Sequence, residues 1–370
     1  MSQRICFFIA RYSHSGVPLA QLRLAKAFLQ RGYKIDFVIG YVPPELTMPV
    51  DLGFDIVNLM QARTFKLLWP IMRMIRHNKP DVIFSAEDHL NAVVTLAVLL
   101  AGSRARLSVS SRVTPYDTYS NKVLSKGWVL KALNPLLWRR ADALTCVSRD
   151  MVKQYQAIFG QTKHQAAYNV IVNSDLDRKK SEGVDHPWLT ESDIPVVISA
   201  GRLAPEKGYP DLIAAMKLVN ERVPVRLLML GDGPLRGQLQ HLIDEAGLND
   251  RIQLLGFQEN PYKYYARSRL FVLSSYVEGL PNVLVEAMAC GCAVVSTDCP
   301  TGPREVLQDG RIGRLVPMRS PHAMAEAIVE MLAVTPDPNA IKTAISPFSE
   351  ECVLAAHQLM LCVVPTTERC

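Results

Sequence analysis

The chain has 370 residues, 49% hydrophobic and 21% charged, which allows two domains with full cores and excludes a disordered or low-complexity chain. Its net charge of +6 is unevenly spread: residues 1–180 hold 25 Lys and Arg against 12 Asp and Glu, giving +13, and residues 181–370 hold 16 against 23, giving −7. The basic first half suits an anionic partner, whether nucleic acid, anionic lipid or a phosphorylated carrier; the eight cysteines contain no CxxC spacing, which argues against a zinc or disulfide framework and fits reduced thiols in the cytosol.

RICFFIA (4–10) is a short continuous apolar run, as in a strand buried on both faces. SHSG follows, and VPLAQLRLAKAFLQRG predicts a helix ending at Gly32. KIDFVIG, DVIFSAE, ARLSVSS and ADALTCVS (141–148) are further strands, and SRDMVKQYQAIFG is a helix. AVVTLAVLLAG (92–102) falls well short of the ~20 residues of a membrane-spanning helix and is expected to be a core helix. MSQRICFFIARY lacks the apolar segment and cleavage site of a secretory leader, so a cytoplasmic location is expected.

Residues 173–193 are polar and unpatterned and read as an interdomain linker. The alternation then restarts: PVVISAGRL, VRLLMLGDG, RIQLLGF, LFVLSSY and CAVVSTD are strands with helices between them, and SPFSEECVLAAHQLMLCVV is a terminal helix. The expected architecture is α/β, with two doubly wound Rossmann-like domains over 1–175 and 195–345, a linker at 176–194 and a C-terminal helix and tail at 346–370. Ligands of such domains bind in loops beyond the strand C-termini, at the crevice the two domains share.

Four loops carry candidate chemistry. In Gly201-Arg202-Leu203-Ala204-Pro205-Glu206-Lys207-Gly208, two cations flank a proline-stiffened turn before a helix, a plausible diphosphate clamp. On spacing alone, two solvated surface charges explain it better. Gly231-Asp232-Gly233 permits close backbone approach, but its spacing is not a dinucleotide fingerprint. Glu278-Gly279-Leu280-Pro281 leads into a helix with Asn282 as expected N-cap and Gly291 as terminator. Glu286 lies about one turn into that helix, and helical side chains lean toward the N-terminus, so Glu278 and Glu286 can face one crevice. Such carboxylates suit a ribose diol and sugar hydroxyls. The competing reading, a helix-dipole acid plus a surface acid, is weakened because Glu286 interrupts an apolar run. Thr301-Gly302-Pro303-Arg304-Glu305 and QDGRIGRLVP read as a turn and short strand pair at the crevice rim.

In this order, AGRLAPEKGYPDLI, LLMLGDGP, SSYVEGLPNVLVEAMACGCAVVSTD and GPREVLQDGRIGRLVP resemble the retaining glycosyltransferases of family 4, of GT-B fold and bacterial surface-polysaccharide type. Glu278 and Glu286 match the family's E-x7-E motif. The resemblance is dense over 196–318 and looser over 1–180. It implies that Arg202 and Lys207 hold the nucleotide diphosphate and that Glu286 binds the ribose hydroxyls. Glu278 would contact the donor sugar, helped by backbone N–H groups near Gly279 and Leu280, with Phe257 and Gln258 lining the base and Gly231 in the donor site. His14-Ser15-Gly16 falls where the family has a Gly-Gly loop over the phosphates; Gly16 matches and Ser15 departs. Val17-Pro18-Leu19 stands where many members have Ala-Glu-Arg. Glu87, Asp88, His89 and Arg112 end predicted strands and are weaker acceptor-side or sugar-side candidates; a structural histidine explains His89 at least as well.

The resemblance further implies transfer from a UDP-hexose or UDP-N-acetylhexosamine to a lipid-linked glycan or a lipopolysaccharide or capsule acceptor, with retention and with no cofactor or metal. Asp175-Leu176-Asp177 is a literal DxD, but it sits in the expected linker and reads as solvated. The acceptor is expected in the basic first half. RTFKLLWPIMRMIRHNK (63–79) and NKVLSKGWVLKALNPLLWRR (121–140) mix cations with Trp and aliphatics. They fit helices lying in a membrane interface, at the inner face of the cytoplasmic membrane, and equally amphipathic core helices with solvated faces. A GT-B epimerase and a non-catalytic nucleotide-sugar or anionic-polymer binding protein are the alternatives. A nucleic-acid partner is not expected, since no recognition motif accompanies the charge.

Overall fold

A computed structural model describes residues 3–13, 16–48 and 52–362. It divides into two compact units, residues up to Val170 together with those from Glu350, and Ile171–Ser349. Each is built on a parallel sheet.

In the first unit the strands are β1 Arg4–Arg11, β2 Lys34–Tyr41, β3 Ile56–Asn58, β4 Val82–Ala86, β5 Arg106–Ser111, β6 Ala143–Cys146 and β7 His164–Ala166. Among the described residues their order is β3-β2-β1-β4-β5-β6-β7, with all neighbours parallel. Parallel strands are covered on both faces, which is why β1 and β4 are apolar without alternation. On one face Phe7 stacks on Phe84 at 4.8 Å and on Phe37 at 5.8 Å. The helix Gly16–Gln30 closes this face with Phe28. So does the chain's last described helix, Glu350–Leu361, which brings Val353 and Leu354 and stands the His357 ring edge-on to Phe84 at 5.3 Å. Gln358 also donates to the Tyr33 hydroxyl at 3.1 Å. The opposite face, with Phe8, Ile83 and Leu107, packs under helices Leu68–Asn78 and Asp88–Ala101.

In the second unit the strands are β8 Val196–Ala200, β9 Arg226–Leu230, β10 Ile252–Gly256, β11 Leu270–Leu273, β12 Ala293–Thr297 and β13 Arg314–Val316. Among the described residues the order is β10-β9-β8-β11-β12-β13, again all parallel. In both sheets the chain order reverses once, between β1 and β4 and between β8 and β11. A crevice opens at such a switch point, beyond the strand C-termini.

Four local expectations are corrected. Residues 173–193 are not plain coil: they hold helices Leu176–Ser181 and Pro187–Thr190 and fall within the second unit. Asn260 Nδ2 ties this stretch down at Lys179 O and Glu182 Oε2, both at 2.8 Å, and Arg178 bonds Glu182 at 2.9 Å. Polar side chains fix backbone here without any apolar periodicity. The apolar run 92–102 is a helix with Val94, Ala97 and Val98 buried, but Leu96, Leu99 and Leu100 face outward. The helix Asn282–Ala289 starts at Asn282 itself, after Pro281, which offers no side-chain cap. The expected strand pair near 301–318 is a helical turn, Pro303–Val306, initiated by proline at its first position, and the single strand β13 beside β12.

Candidate functional site

The loops after β8 and β11 flank the switch point of the second sheet, and glycines let their backbones touch. Gly208 has φ +61, and a Cβ there would lie 2.1 Å from the Ser274 carbonyl oxygen. Gly231, after β9, has φ +124, and a Cβ there would lie 2.0 Å from Gly201 O. Neither position admits another residue without parting two loops.

This closeness brings Lys207 to Glu278, with Nζ 2.6 Å from Oε1. The pair is mostly sheltered, the side chains 21% and 9% exposed. Ser275 Oγ donates to the same carboxylate oxygen at 2.7 Å, and Ser274 Oγ to the Lys207 carbonyl at 2.7 Å. Thr301 Oγ1 donates to the Glu278 carbonyl, so the rim loop shapes the Glu278 loop. Tyr276 N donates to Glu206 O at 2.8 Å, a further tie between the loops. Arg202, by contrast, is 61% exposed and bonds Glu206 of its own loop at 2.6 Å. The resemblance implies both cations at the diphosphate; the structure fixes Lys207 and leaves Arg202 at the surface, where an ion pair is worth little and is easily exchanged.

Glu286 sits on the helix Asn282–Ala289, 4% exposed, and accepts from the Tyr262 hydroxyl at 3.3 Å. Burial, with the Glu286 charge next, raises the nearby Cys290 thiol to about 12. That helix ends in a Schellman arrangement: Gly291, at φ +91, donates to Met288 O at 2.9 Å and Cys292 N to Ala287 O at 3.1 Å. Gly279 and Leu280 lie in the turn before it, Leu280 buried. Phe257 follows β10 and is 46% exposed, while Gln258 accepts from Tyr264 at 2.9 Å and donates to Leu255 O at 3.0 Å. Asp175 and Asp177 are engaged by Arg178 and Lys180 of their own helix, at 3.8 and 2.6 Å.

In the first unit Gly16 opens the helix after β1; His14 and Ser15 lie outside the described residues. Beyond β4 is Glu87, held at φ 79, ψ 127. For a non-glycine this costs ~1–3 kcal/mol, sustained only if the surroundings over-determine it. They do: Glu87 N donates to Ser110 O at 3.0 Å, and its carbonyl accepts from Leu90 and Asn91 at 2.9 and 2.8 Å. The next residue, Asp88, is buried and accepts from Ser111 at 2.8 Å and Tyr155 at 2.6 Å. Asp88 is therefore a structural anchor. His89 Nε2 lies 3.6 Å from Glu87 Oε2. Burial pushes the Glu87 carboxyl up to about 7 against the pull of Arg112. Burial, then Lys126, lowers His89 to about 4. Arg112 donates to Asn169 and is itself lowered to about 10 by burial, against the pull of Glu87.

Residues 185–345 match the family model "Glycosyl transferases group 1", and residues 15–168 match "Glycosyl transferase 4-like domain". An uncharacterised glycosyltransferase of Methanocaldococcus jannaschii is 32% identical over 287 residues, 73% of this chain and 70% of the relative. The chain belongs to the family 4 glycosyltransferases of GT-B fold. A Campylobacter jejuni relative, named N-acetylgalactosamine-N,N'-diacetylbacillosaminyl-diphospho-undecaprenol 4-alpha-N-acetylgalactosaminyltransferase, is 32% identical over 65% of this chain and 64% of its own length. The chain spans about half, 52%, of a Rhizobium meliloti lipopolysaccharide core biosynthesis glycosyltransferase, at 34% identity over 48% of this chain. Among solved structures, Anabaena HepE in complex with UDP shares the fold with a TM-score of 0.80 at 20% identity, over 98% of this chain and 100% of that one.

In this glycosyltransferase the sequence motifs named the charged residues but missed their supports: Ser274, Ser275, Tyr262, Asn169 and Tyr155. Ser274-Ser275 was the legible signal, two hydroxyls directly after a buried strand at the switch point. Tyr262 reaches Glu286 and Asn169 reaches Arg112 from distant segments, and neither leaves a local signal.

Proposed function

We propose that this glycosyltransferase moves a sugar from a UDP-hexose or UDP-N-acetylhexosamine to a lipid-linked saccharide, with retention of configuration and without a metal. The observation that carries the proposal is the sheltered Lys207–Glu278 pair at the switch point, with buried Glu286 on the helix that follows Glu278. In this reading Lys207 and Arg202 take the diphosphate. Lys207 is pre-oriented by Glu278 and Ser275, and Arg202 leaves Glu206 at small cost to close on the phosphates. Glu286 accepts the ribose hydroxyls, and Phe257 and Gln258 border the base. Gly231 lets the backbone approach the donor. Glu278 and the N–H groups of the Gly279–Leu280 turn orient the donor sugar. The two cations stabilise the departing diphosphate, and the acceptor attacks from the face the leaving group vacates, so positioning and charge stabilisation supply the rate. Glu87, His89 and Arg112 border the acceptor side. The relatives support this reading: HepE binds UDP, and the Campylobacter relative's name gives an undecaprenol-linked acceptor. A lipid-linked acceptor would place the enzyme at the cytoplasmic leaflet.

The first test is a thermal-shift panel with UDP, GDP, ADP and NAD, with and without EDTA. UDP alone should raise the melting temperature, insensitively to EDTA, and Glu286→Ala should abolish the rise. No shift with any nucleotide, or one that needs metal, would overturn the reading.

A further inference from the structure

The stretch that follows the first unit in sequence belongs to the second and packs against the supports of Glu286. Its helix Leu176–Ser181 lies on Tyr262–Tyr265, which lies in turn on the Glu286 helix Asn282–Ala289. One side-chain amide joins the first two. Asn260 Nδ2 donates to Lys179 O and Glu182 Oε2, and Asn260 Oδ1 accepts from Tyr262 N at 3.2 Å. Arg267 makes a second joint, donating to Lys263 O at 2.9 Å and to Lys180 O at 3.4 Å. The backbone of residue 179 is thereby fixed beside Tyr262.

The three consecutive cations of this helix go different ways. Arg178 pairs with Glu182 at 2.9 Å and Lys180 with Asp177 at 2.6 Å, both inside the segment. Lys179, half-buried between them, holds its Nζ over the Tyr262 ring, 5.6 Å from the centroid. Tyr262 is buried, and its hydroxyl donates to buried Glu286. Ammonium, ring, hydroxyl and carboxylate thus form one chain of contacts. An ammonium on the face of a phenol draws charge from the ring and makes the hydroxyl a stronger donor, more so where water is excluded. The cation then supports the carboxylate through the ring.

We propose that Lys179 is a positioning residue for Glu286, acting through Tyr262, and that this chain of contacts sets the preference for a ribonucleotide over a deoxyribonucleotide. The proposal rests on the reading of Glu286 as the acceptor for the ribose hydroxyls and adds to it a residue outside all four motif loops. A carboxylate held in one place rejects a sugar that lacks the hydroxyl it was placed for, because a buried acceptor is left unpaired. A carboxylate free to swing finds another partner and forgives the loss. Lys179 therefore bears on selectivity without touching the nucleotide: it fixes Tyr262, and Tyr262 fixes Glu286.

The test is calorimetric titration of UDP and of its deoxyribose counterpart dUDP into the full chain. The variants are Lys179→Met, Lys179→Arg, Tyr262→Phe and Lys179→Met combined with Tyr262→Phe, each with its melting temperature. The native chain should prefer UDP by at least about tenfold. Lys179→Met should weaken UDP binding about three- to tenfold and leave dUDP within about twofold, at unchanged melting temperature. Lys179→Arg keeps a cation on the ring and should restore the preference. The combined variant should bind UDP no worse than Tyr262→Phe alone, since both changes break the same chain. No loss in Lys179→Met, equal losses for the two nucleotides, a preference that arginine does not restore, or losses that add would overturn the proposal and leave the donor-site reading standing. A native chain that binds neither nucleotide, or both equally, would overturn the ribose assignment of Glu286 and this proposal with it.

Discussion

Lys207 and Glu278 close the switch point of the second sheet: they come from loops after adjacent strands β8 and β11, and their charges meet at 2.6 Å. Each needs the other, since a sheltered charge left alone is costly. Lys207→Ala and Glu278→Ala should therefore be non-additive. Each single change should lower stability and transferase activity, and the double change should cost less than the sum by about 1–3 kcal/mol. A denaturant-melt cycle read beside kcat/KM checks this; simple additivity would mean that the pair is a surface contact.

Gly208 sets the distance between the two loops. Gly208→Ala should cost at least about 2 kcal/mol and erase the UDP shift, because its Cβ would meet the Ser274 carbonyl at 2.1 Å. Gly247 has a similar φ, +68, with nothing within 4 Å of its would-be Cβ. Gly247→Ala should cost only about 1 kcal/mol and leave UDP binding alone. Urea melts and UDP titrations of the two variants give the contrast directly.

Tyr262 steadies Glu286. Tyr262→Phe removes one donor to a buried carboxylate and should weaken UDP binding roughly three- to tenfold. The loss should appear in Kd, with little change in kcat at saturating donor. A fall in kcat alone would place Glu286 at the sugar rather than the ribose.

Two groups of the first unit, half-buried Glu87 and buried His357, set opposite pH limits. The carboxyl of Glu87 is raised in the folded state to about 7, so its contribution is fully present below its ordinary range and lost as pH rises through 7. Glu87→Gln should therefore raise the melting temperature at pH ~8 more than at pH ~5. His357 is lowered to about 3 by burial and by Arg112, and among the described residues its Nδ1 has no hydrogen-bond partner. Its contribution is present above its ordinary value and is lost as pH falls toward 3, an effect on the order of a few kcal/mol. His357→Phe should flatten the acid side of the melting curve and leave the alkaline side unchanged.

The strand–helix alternation and the β8–β11 loops were legible because buried parallel strands are apolar runs and switch-point loops hold glycine beside charge. No single loop was decisive: the Arg202–Lys207 spacing alone favoured solvated charges, and only the ordered set of four carried the family. What stayed illegible depends on distant partners or on backbone strain. The positive φ of Glu87 has no sequence signature, because its N–H is held by the Ser110 carbonyl of a separate strand. Helix Leu176–Ser181 is held by Asn260, more than seventy residues away, and no local pattern announces it. Exposed Leu99 and Leu100 looked like core because apolar residues do not say which side of a helix meets solvent.

The helix Glu350–Leu361 completes the core that begins with Phe7 and Phe84. The first unit thus cannot close this core until Glu350–Leu361 leaves the ribosome, about 190 residues after Val170. At 5–20 residues per second that is a delay of roughly 10–40 s. During that time the second unit is itself being made, while the first waits with an open apolar face. A segment made after the second unit seals the domain made before it, so a nascent chain broken off before residue 350 would leave a folded second unit attached to an unsealed first one, a substrate for chaperones and proteases.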